Sequence, residues 1–265
     1  MGNKKRSGKK PCYSSLTGEL LYGIQPVKEA LVCQKRQIFY LYLKHGGKSP
    51  STPSSERLEE LARLAKKANI PVNRMDNRQM DQLVGGVLHQ GSILSCGPVP
   101  YGDAHLLADP TPTEHRLFVA LDQVEDPHNM GAIIRSSAFF HASGVIVPMN
   151  HSAPLTPTVS KSSAGVLEYF PVIGVPNLAR FLEQQKKKGY WIVGLDADTE
   201  ECISSLKWDR SYILVVGNEG KGMRQLVHAT CDWHLSIAGN SEVSSLNVSN
   251  ATAVALFQLT QHPAN

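Results

Sequence analysis

Three short polar clusters, each placed after an apolar stretch, hold the residue types that could position a ligand. They are Asp126–Asn129 together with Arg135 on the helix that follows, Gly217–Gly220, and Ser245–Ser249. Ligands of open parallel α/β sheets bind beyond the carboxyl ends of the strands, so we expect these clusters to share one edge of a sheet. Amides, a guanidinium and a carboxylate can orient a polar substrate, and glycines let backbone groups approach a ligand closely.

Each of these residues also has an ordinary structural interpretation. Asn129 alone could cap a helix, Arg135 alone could form a surface salt bridge, and Glu219 alone could be a solvated turn residue. The set predicts a polar site, but the residue types by themselves do not identify a reaction.

The sequence lacks the common catalytic and nucleotide-binding motifs. The glycines of Gly217–Met223 follow G-x-x-G-x-G, the wrong order for a dinucleotide-binding fingerprint, and no P-loop pattern occurs. No G-x-S-x-G is present, which argues against the common serine hydrolases. The ten histidines include no H-E-x-x-H and no close pair with metal-ligand spacing, so the sequence predicts no metal site.

Composition indicates a globular protein whose basic charge lies mainly in its first residues. The chain has 27 basic and 23 acidic residues, and five of the basic ones precede the first acidic residue, Glu19. The remaining body is close to neutral, so affinity for nucleic acid must come from a local patch or from this tail. The sequence contains no apolar run of about 18 residues, so it predicts no membrane-spanning helix. Its five scattered cysteines indicate free thiols in a reducing compartment.

Patterning along the chain predicts two α/β domains. Residues 1–18 form a basic tail, interpreted as solvated and disordered, with an RNA-contacting arm or a transit-peptide remnant as alternatives. Residues 19–97 form a small α/β unit, and residues 98–115 a proline-rich linker. Strands alternate with helices over residues 116–262, which predicts a second domain with a mostly parallel sheet.

The second domain contains three motifs, which in chain order are DPHNMGAIIRSSAFFHASG, LVVGNEGKGM and SSLNVSNATAVALF. They resemble, in the same order, the motifs of the SpoU (TrmH-type) RNA ribose 2′-O-methyltransferases of the SPOUT superfamily. YGIQPVKEAL and HQGSIL are similar to the family's RNA-binding domain, which is related to ribosomal protein L30e. APLTPTVSKSSAGVLEYFPV looks closest to mitochondrial large-subunit rRNA guanosine methyltransferases and their bacterial relatives.

The resemblance implies an L30e-like domain followed by a SPOUT-type α/β domain with a C-terminal trefoil knot. It also implies S-adenosylmethionine as methyl donor, ribosomal RNA as substrate and a homodimer. The positions that match the family's catalytic and polar residues are Asn129, Arg135, Glu219, Ser245 and Asn247. The positions whose backbone groups are implied to hold the cofactor are Gly217, Ile237 and Leu246.

Several expectations concern the substrate, the cofactor loop and the location of the protein. Candidate phosphate contacts of the first domain, which could equally be solubilising charges, are Lys28, Lys35, Arg36 and Lys44. Ile237-Ala238-Gly239 stands where the family usually has I-P-M, and loss of that proline is expected to loosen the loop. The alternatives to an rRNA enzyme are a tRNA ribose methyltransferase and an inactive ribosome-assembly factor. The tail and the likeness to mitochondrial enzymes favour the mitochondrial matrix, with the cytoplasm as alternative.

Overall fold

The computed structural model describes residues 18–45, 53–107, 109–111, 114–207, 209–240 and 245–261. The predicted basic tail lies outside the described residues except for Gly18. Among the described residues no helix combines the length and apolar character needed to cross a membrane.

The first domain is a four-stranded mixed sheet with helices on both faces. Its elements in chain order are β1 (Glu19–Tyr22), α1 (Ile24–Cys33), β2 (Ile38–Lys44), α2 (Pro53–Lys67), β3 (Val72–Met75), α3 (Asn77–Val84) and β4 (Ser92–Cys96). The strand order is β1-β4-β2-β3. One face buries Leu58, Leu61 and Ala65 of α2 together with α1, because the apolar residues of α2 recur at helical spacing. The other face packs against Met80 of α3.

The second domain is built on a six-stranded sheet in which every pairing of the named strands is parallel. Its elements in chain order are β5 (Leu117–Leu121), α4 (Pro127–Phe139), β6 (Gly144–Pro148), α5 (Pro157–Ser162), β7 (Val172–Val175), α6 (Leu178–Lys187), β8 (Trp191–Leu195), β9 (Tyr212–Val216), α7 (Gln225–Thr230), β10 (Trp233–Leu235) and α8 (Val248–Thr260). The strand order is β10-β8-β9-β5-β6-β7. The α/β class and the mostly parallel sheet are therefore as predicted.

Two core layers sandwich this sheet. Helices α4, α5 and α8 cover one face, and their side chains pack with Val119, Leu214 and Val216. Helices α6 and α7 cover the other face, over Phe118 and Ile213. The central strands are buried on both sides, which explains why they read in the sequence as continuous apolar runs.

The described part of the predicted linker packs against the second domain. Val99 and Leu107 are buried, and Gly102 forms a parallel bridge with Ile173 of β7. The segment thus adds a short edge contact to the large sheet. The proposed domain limits at residues 18, 97, 115 and 262, and the trefoil knot, stay predictions.

Candidate functional site

The first polar cluster starts α4 at the carboxyl end of β5. Asp126 caps the helix, since its carboxylate accepts hydrogen bonds from the backbone N–H groups of His128 (3.0 Å) and Asn129 (3.4 Å). Pro127 occupies the first helical turn, where its missing N–H costs nothing. This start holds Asn129 at the edge of the sheet.

Side chains of all three predicted clusters meet in one hydrogen-bond network. The Asn129 amide donates to Glu219 Oε1 over 3.0 Å, across 90 residues of sequence. The Asn247 amide donates to Asn129 Oδ1 over 3.0 Å, across 118 residues, and also to Glu219 Oε1. The backbone N–H of Val248 donates to the same carboxylate oxygen at 3.3 Å. The expectation that these clusters share one sheet edge is confirmed for Asn129, Glu219 and Asn247.

Asn247 also begins α8. Its Oδ1 accepts from the backbone N–H groups of Ser249 (3.0 Å) and Asn250 (3.4 Å) and from the Ser249 hydroxyl (2.6 Å). The amide of Asn247 therefore donates into the network while its oxygen caps the helix. This arrangement fixes the direction in which the α8 N-terminus faces the site.

The loop after β9 folds back tightly on itself. Asn218 and Gly222 exchange two backbone hydrogen bonds of 3.0 and 2.9 Å, and the Asn218 amide donates to the Gln123 carbonyl at 3.0 Å. A Cβ on Gly217 would lie 2.3 Å from the carbonyl carbon of Gly222, so no larger residue fits there. The loop thereby exposes Glu219 and backbone groups at the sheet edge.

An ion pair that the sequence interpretation missed fastens the end of this loop. The Asp122 carboxylate, fully buried after β5, accepts from the Arg224 backbone N–H (2.7 Å) and from its guanidinium (2.8 and 2.6 Å). A clue in the sequence is that Asp122 directly follows an apolar strand. Its partner lies 102 residues away, and that separation could not be read from the residues.

The remaining predicted catalytic residues lie outside the network. The exposed Arg135 side chain has no polar partner among the described residues. Ser245 lies two residues before Asn247 and is exposed. It has no hydrogen-bond partner among the residues that the structure describes. The roles of Arg135 and Ser245 stay predictions.

The predicted cofactor contacts occupy ends of strands and the start of α8. Gly217 directly follows β9, Ile237 lies two residues beyond β10, and Leu246 precedes the α8 cap with 47% of its surface exposed. The carboxyl ends of the parallel strands β9 and β10 face the same edge, so Gly217 and Ile237 lie on the side of the network. Their role as cofactor contacts stays a prediction.

The loop that lacks the usual proline is fastened to a neighbouring segment. The Ser236 backbone accepts from Ile203 N–H at 2.8 Å and donates to the Glu201 carbonyl at 2.7 Å. Hydrogen bonds, the largest from Ser204 and another from the Ala238 backbone, lower the pKa of the Cys202 thiol. These contacts hold the beginning of the loop, whereas Ala238 and Gly239 are exposed.

Arg36 corrects one sequence prediction, because it cannot contact an RNA phosphate. Its guanidinium is fully buried and forms a two-pronged ion pair with Glu168 (2.9 Å to each oxygen), with Glu19 3.1 Å away. A phosphate would have to displace that carboxylate inside the protein.

The three lysines of the same prediction are placed differently. Lys28 pairs with Glu60 at 2.7 Å at the surface, and Lys35 donates to the Tyr169 carbonyl. Lys44 is exposed at the end of β2. A phosphate contact by any of the three stays a prediction.

Sequence comparisons match each of the two domains to a known family. The SpoU rRNA Methylase family matches residues 116–257. A profile described as RNA 2′-O ribose methyltransferase substrate binding matches residues 20–102. The 23S rRNA (guanosine-2′-O-)-methyltransferase RlmB of Pseudomonas putida is 38% identical over 243 residues, which cover 91% of this chain and 95% of that protein. RlmB of Vibrio cholerae is 36% identical over 244 residues, covering 92% and 96%.

Solved structures share the fold. The SpoU methyltransferase AviRb from Streptomyces viridochromogenes, in complex with AdoMet, has a TM-score of 0.74 at 24% identity, covering 91% of this chain and 89% of that one. An AdoMet-bound rRNA methyltransferase from Sinorhizobium meliloti has a TM-score of 0.73 at 22% identity, covering 91% and 85%. With the family match over residues 116–257 and relatives above 30% identity over most of the chain, this protein belongs to the SpoU rRNA methylase family.

Proposed function

We propose that this protein transfers a methyl group from S-adenosylmethionine to the ribose 2′-hydroxyl of a guanosine in large-subunit ribosomal RNA. The observation that carries the proposal is the meeting of three distant motifs in the Asn129–Glu219–Asn247 network. The substrate is supported by the relatives from Pseudomonas putida and Vibrio cholerae, which are named 23S rRNA guanosine-2′-O-methyltransferases.

The described residues fit a cofactor that is held by backbone groups. Gly217 and Gly222 pack so closely that a Cβ on Gly217 would collide with the loop, which leaves the edge after β9 lined by backbone N–H and C=O groups. Ile237 and Leu246 add apolar surface from the ends of two further segments. Such a site suits an adenine ring, which amides and carbonyls can hydrogen-bond while apolar side chains cover its faces.

S-adenosylmethionine supplies a methyl group bound to a positively charged sulfur, already activated for in-line attack by an oxygen nucleophile. The protein must therefore chiefly hold the ribose hydroxyl in line with that methyl group, while the hydroxyl proton passes to water. Asn129 and Asn247 are held at fixed orientation by Glu219, so they can shape a polar pocket around the ribose. A guanidinium has no lone pair to accept a proton and is a poor general base, but the fork of Arg135 suits an RNA phosphate.

The first domain supplies the other half of RNA recognition in this proposal. Its match to a substrate-binding family of RNA ribose methyltransferases supports that role. Lys44 has the most open position of the predicted phosphate contacts, since Lys28 already pairs with Glu60 and Lys35 with a carbonyl group. Recognition of a folded or looped RNA segment by shape suits such a domain.

We further propose a homodimer formed through α4 and α8. The two helices pack against each other and leave Phe139, Val254 and Phe257 with 74%, 42% and 49% of their surface exposed. Large apolar side chains grouped on one surface commonly mark a contact with another protein. Asn129 and Asn247 lie at the opposite, N-terminal ends of the same two helices, so α4 and α8 would connect the contact to the site.

Two features of the proposal remain separate expectations. The relatives named above are bacterial, so they lend no support to a mitochondrial location, which stays a prediction beside the cytoplasmic alternative. A tRNA substrate stays open because a Bacillus subtilis relative, 36% identical over 203 residues, is named a putative tRNA/rRNA methyltransferase.

The proposal is tested by methyl transfer with the purified protein. Radiolabelled S-adenosylmethionine is incubated with unmodified 23S rRNA, with 16S rRNA and with tRNA. We expect label in 23S rRNA alone, and loss of that label in Asn129→Ala and Arg135→Ala variants that keep the unfolding midpoint of the wild type.

Two results would overturn the proposal in different ways. If only tRNA is labelled, the protein is a tRNA methyltransferase instead. A folded protein that binds 23S rRNA but labels no RNA would point to an assembly factor, with Ala238 and Gly239 as the first residues to restore to the family pattern.

A further inference from the structure

Folding assembles a cluster of one carboxylate and two imidazoles that the sequence spacing does not reveal. Asp196 directly follows β8, His228 lies in α7 and His234 lies in β10. Potential ligand atoms of the three side chains all lie within 4.8 Å of one another. Asp196 Oδ2 is 3.0 Å from His228 Nε2, and the two imidazole rings stack with their centroids 3.7 Å apart.

The cluster lies on the other face of the sheet from the α4–α8 surface. Trp233 and Leu235 pack into the core layer beneath α4 and α8. His234, between them in β10, therefore points toward the α6–α7 side. Gly194 of β8 leaves room there, because a Cβ on it would lie 2.8 Å from Met223 Cε, 3.0 Å from Cys231 Sγ and 3.2 Å from His234 Nδ1.

One buried atom of the cluster lacks a hydrogen-bond partner. His234 Nδ1 is one of three buried side-chain polar atoms that are unsatisfied within the described residues. Buried polar atoms are almost always paired with protein, ordered water or an ion, so this nitrogen calls for a partner. The Asp196–His228 hydrogen bond does not supply one, since it involves neither nitrogen of His234.

We propose that Asp196, His228 and His234 bind one divalent transition-metal ion, for which Zn²⁺ is the representative. Imidazole nitrogens and a carboxylate oxygen are common ligands of such ions, with bonds of about 2.0–2.2 Å. Donor atoms around one ion are then separated by roughly 3–4 Å, which these side chains reach by small rotations. The ion takes the place of the Asp196–His228 hydrogen bond, and water completes its coordination.

The ion would have a structural role next to the cofactor loops. It would connect the end of β8 to α7 and β10, adding to the Asp196–His228 hydrogen bond and the stacked imidazoles that already join these elements. Helix α7 follows the loop that begins at Gly217, and β10 leads to Ile237. Fastening both elements stabilises the segments that present those backbone groups.

The test is metal binding by the full chain after treatment with a chelator. Titration with ZnCl₂ in a calorimeter is expected to show one equivalent bound, and a saturating concentration is expected to raise the unfolding midpoint. His234→Gln and His228→Gln should weaken Zn²⁺ binding by at least about 100-fold, the upper end of the loss seen when residues supporting a metal ligand are removed. The matched control is His105→Gln, since His105 is exposed and pairs only with Asp103, at 4.0 Å; it should bind as the wild type does.

A second measurement does not depend on any variant. The Co²⁺ complex of the wild type is expected to show ligand-field bands without a sulfur-to-metal charge-transfer band, because no thiolate belongs to the proposed site. The proposal is overturned by the absence of stoichiometric Zn²⁺ binding, by equal affinity in all three histidine variants, or by a thiolate band. Circular dichroism of the metal-free variants ensures that lost binding reflects lost ligands and not unfolding.

Discussion

The Asn247 side chain both caps α8 and takes part in the hydrogen-bond network of the site. Its side-chain oxygen caps α8 through Ser249 and Asn250, and its amide nitrogen reaches Asn129 and Glu219. A hydroxyl can replace the cap, because Ser is nearly as good as Asn at that position. A hydroxyl is too short to maintain both long-range hydrogen bonds, so substitution can separate the two functions.

We expect Asn247→Ser to fold almost as stably as the wild type and to lose most of its methyl transfer. Asn247→Ala should lose both the cap and the network, at a cost of about 1 kcal/mol in the free energy of unfolding. Chemical denaturation and the rate of methyl transfer measured on both variants check this. Full transfer by Asn247→Ser would show that the network is not required for the reaction.

The sequence predicts site residues correctly only where a residue follows a predicted strand and also lies in a motif that resembles the family. Asn129, Glu219 and Asn247 each lie in a recognisable motif that follows a predicted strand, and parallel strands bring such positions to one edge. The predicted phosphate contact of Arg36 is wrong because a basic residue after a helix is usually solvated. Its partner Glu168 lies 132 residues away in the sequence. Pairings across such distances depend on tertiary packing, which local pattern does not encode.

At the scale of elements, the loop between β9 and α7 is positioned by its two ends. Asn218 ties its beginning to Gln123, and Arg224 ties its end to the buried Asp122. Asp122 is fully buried while 40% of the Arg224 side chain is exposed. Removal of the arginine therefore leaves a buried carboxylate with one backbone donor, the more costly way to break the pair.

We expect Arg224→Ala to lower the free energy of unfolding by about 3 kcal/mol and to weaken cofactor binding. The double variant Asp122→Ala with Arg224→Ala should be less destabilised than Arg224→Ala alone, because it leaves no buried charge. Urea denaturation and calorimetric titration with S-adenosylmethionine measure both effects. Strictly additive losses would mean that the two residues do not interact as the structure indicates.

Strands were more predictable than short helices. Leu117–Leu121 and Tyr212–Val216 are uninterrupted apolar runs in the sequence, as central parallel strands are, so their pattern indicates them directly. Helix α7 has only six residues, and α3 depends on a capping box between Asp76 and Gln79. Neither is long enough for helical periodicity to stand out in the sequence.

At the scale of the whole molecule, one buried ion pair joins the two domains. Arg36 precedes β2 in the first domain, and Glu168 lies in a 3₁₀ turn before β7 in the second. Side-chain exposure is 0% for Arg36 and 1% for Glu168, and the Ser160 hydroxyl also donates to the carboxylate at 2.6 Å. This pair fixes the substrate-binding domain relative to the site.

We expect Arg36→Ala to cost about 3–5 kcal/mol of unfolding free energy, because it leaves the Glu168 carboxylate buried without its cation. Arg74→Ala is the matched control, since Arg74 pairs with Glu59 at the surface and should cost less than about 1 kcal/mol. Chemical denaturation measures both variants. Equal losses would contradict a structural role for Arg36.

The proposed dimer predicts that one charged substitution on the α4–α8 surface separates the subunits. Phe257→Glu places a carboxylate within an apolar contact, and we expect a monomer with reduced methyl transfer. Leu88→Glu is the control, because Leu88 is equally apolar, 74% exposed and lies in the first domain. Analytical ultracentrifugation of both variants gives the result, and a Phe257→Glu dimer would remove this surface from the interface.

In our proposal, the hydrogen-bonded edge formed by Asn129, Glu219 and Asn247 serves the methylation of a guanosine ribose. The most direct measurement is mass spectrometry of nucleosides from 23S rRNA that the purified protein has methylated. We expect a single new nucleoside, 2′-O-methylguanosine, formed by the wild type and absent with Asn129→Ala. A methyl group on a base, or on the ribose of another nucleoside, would contradict it.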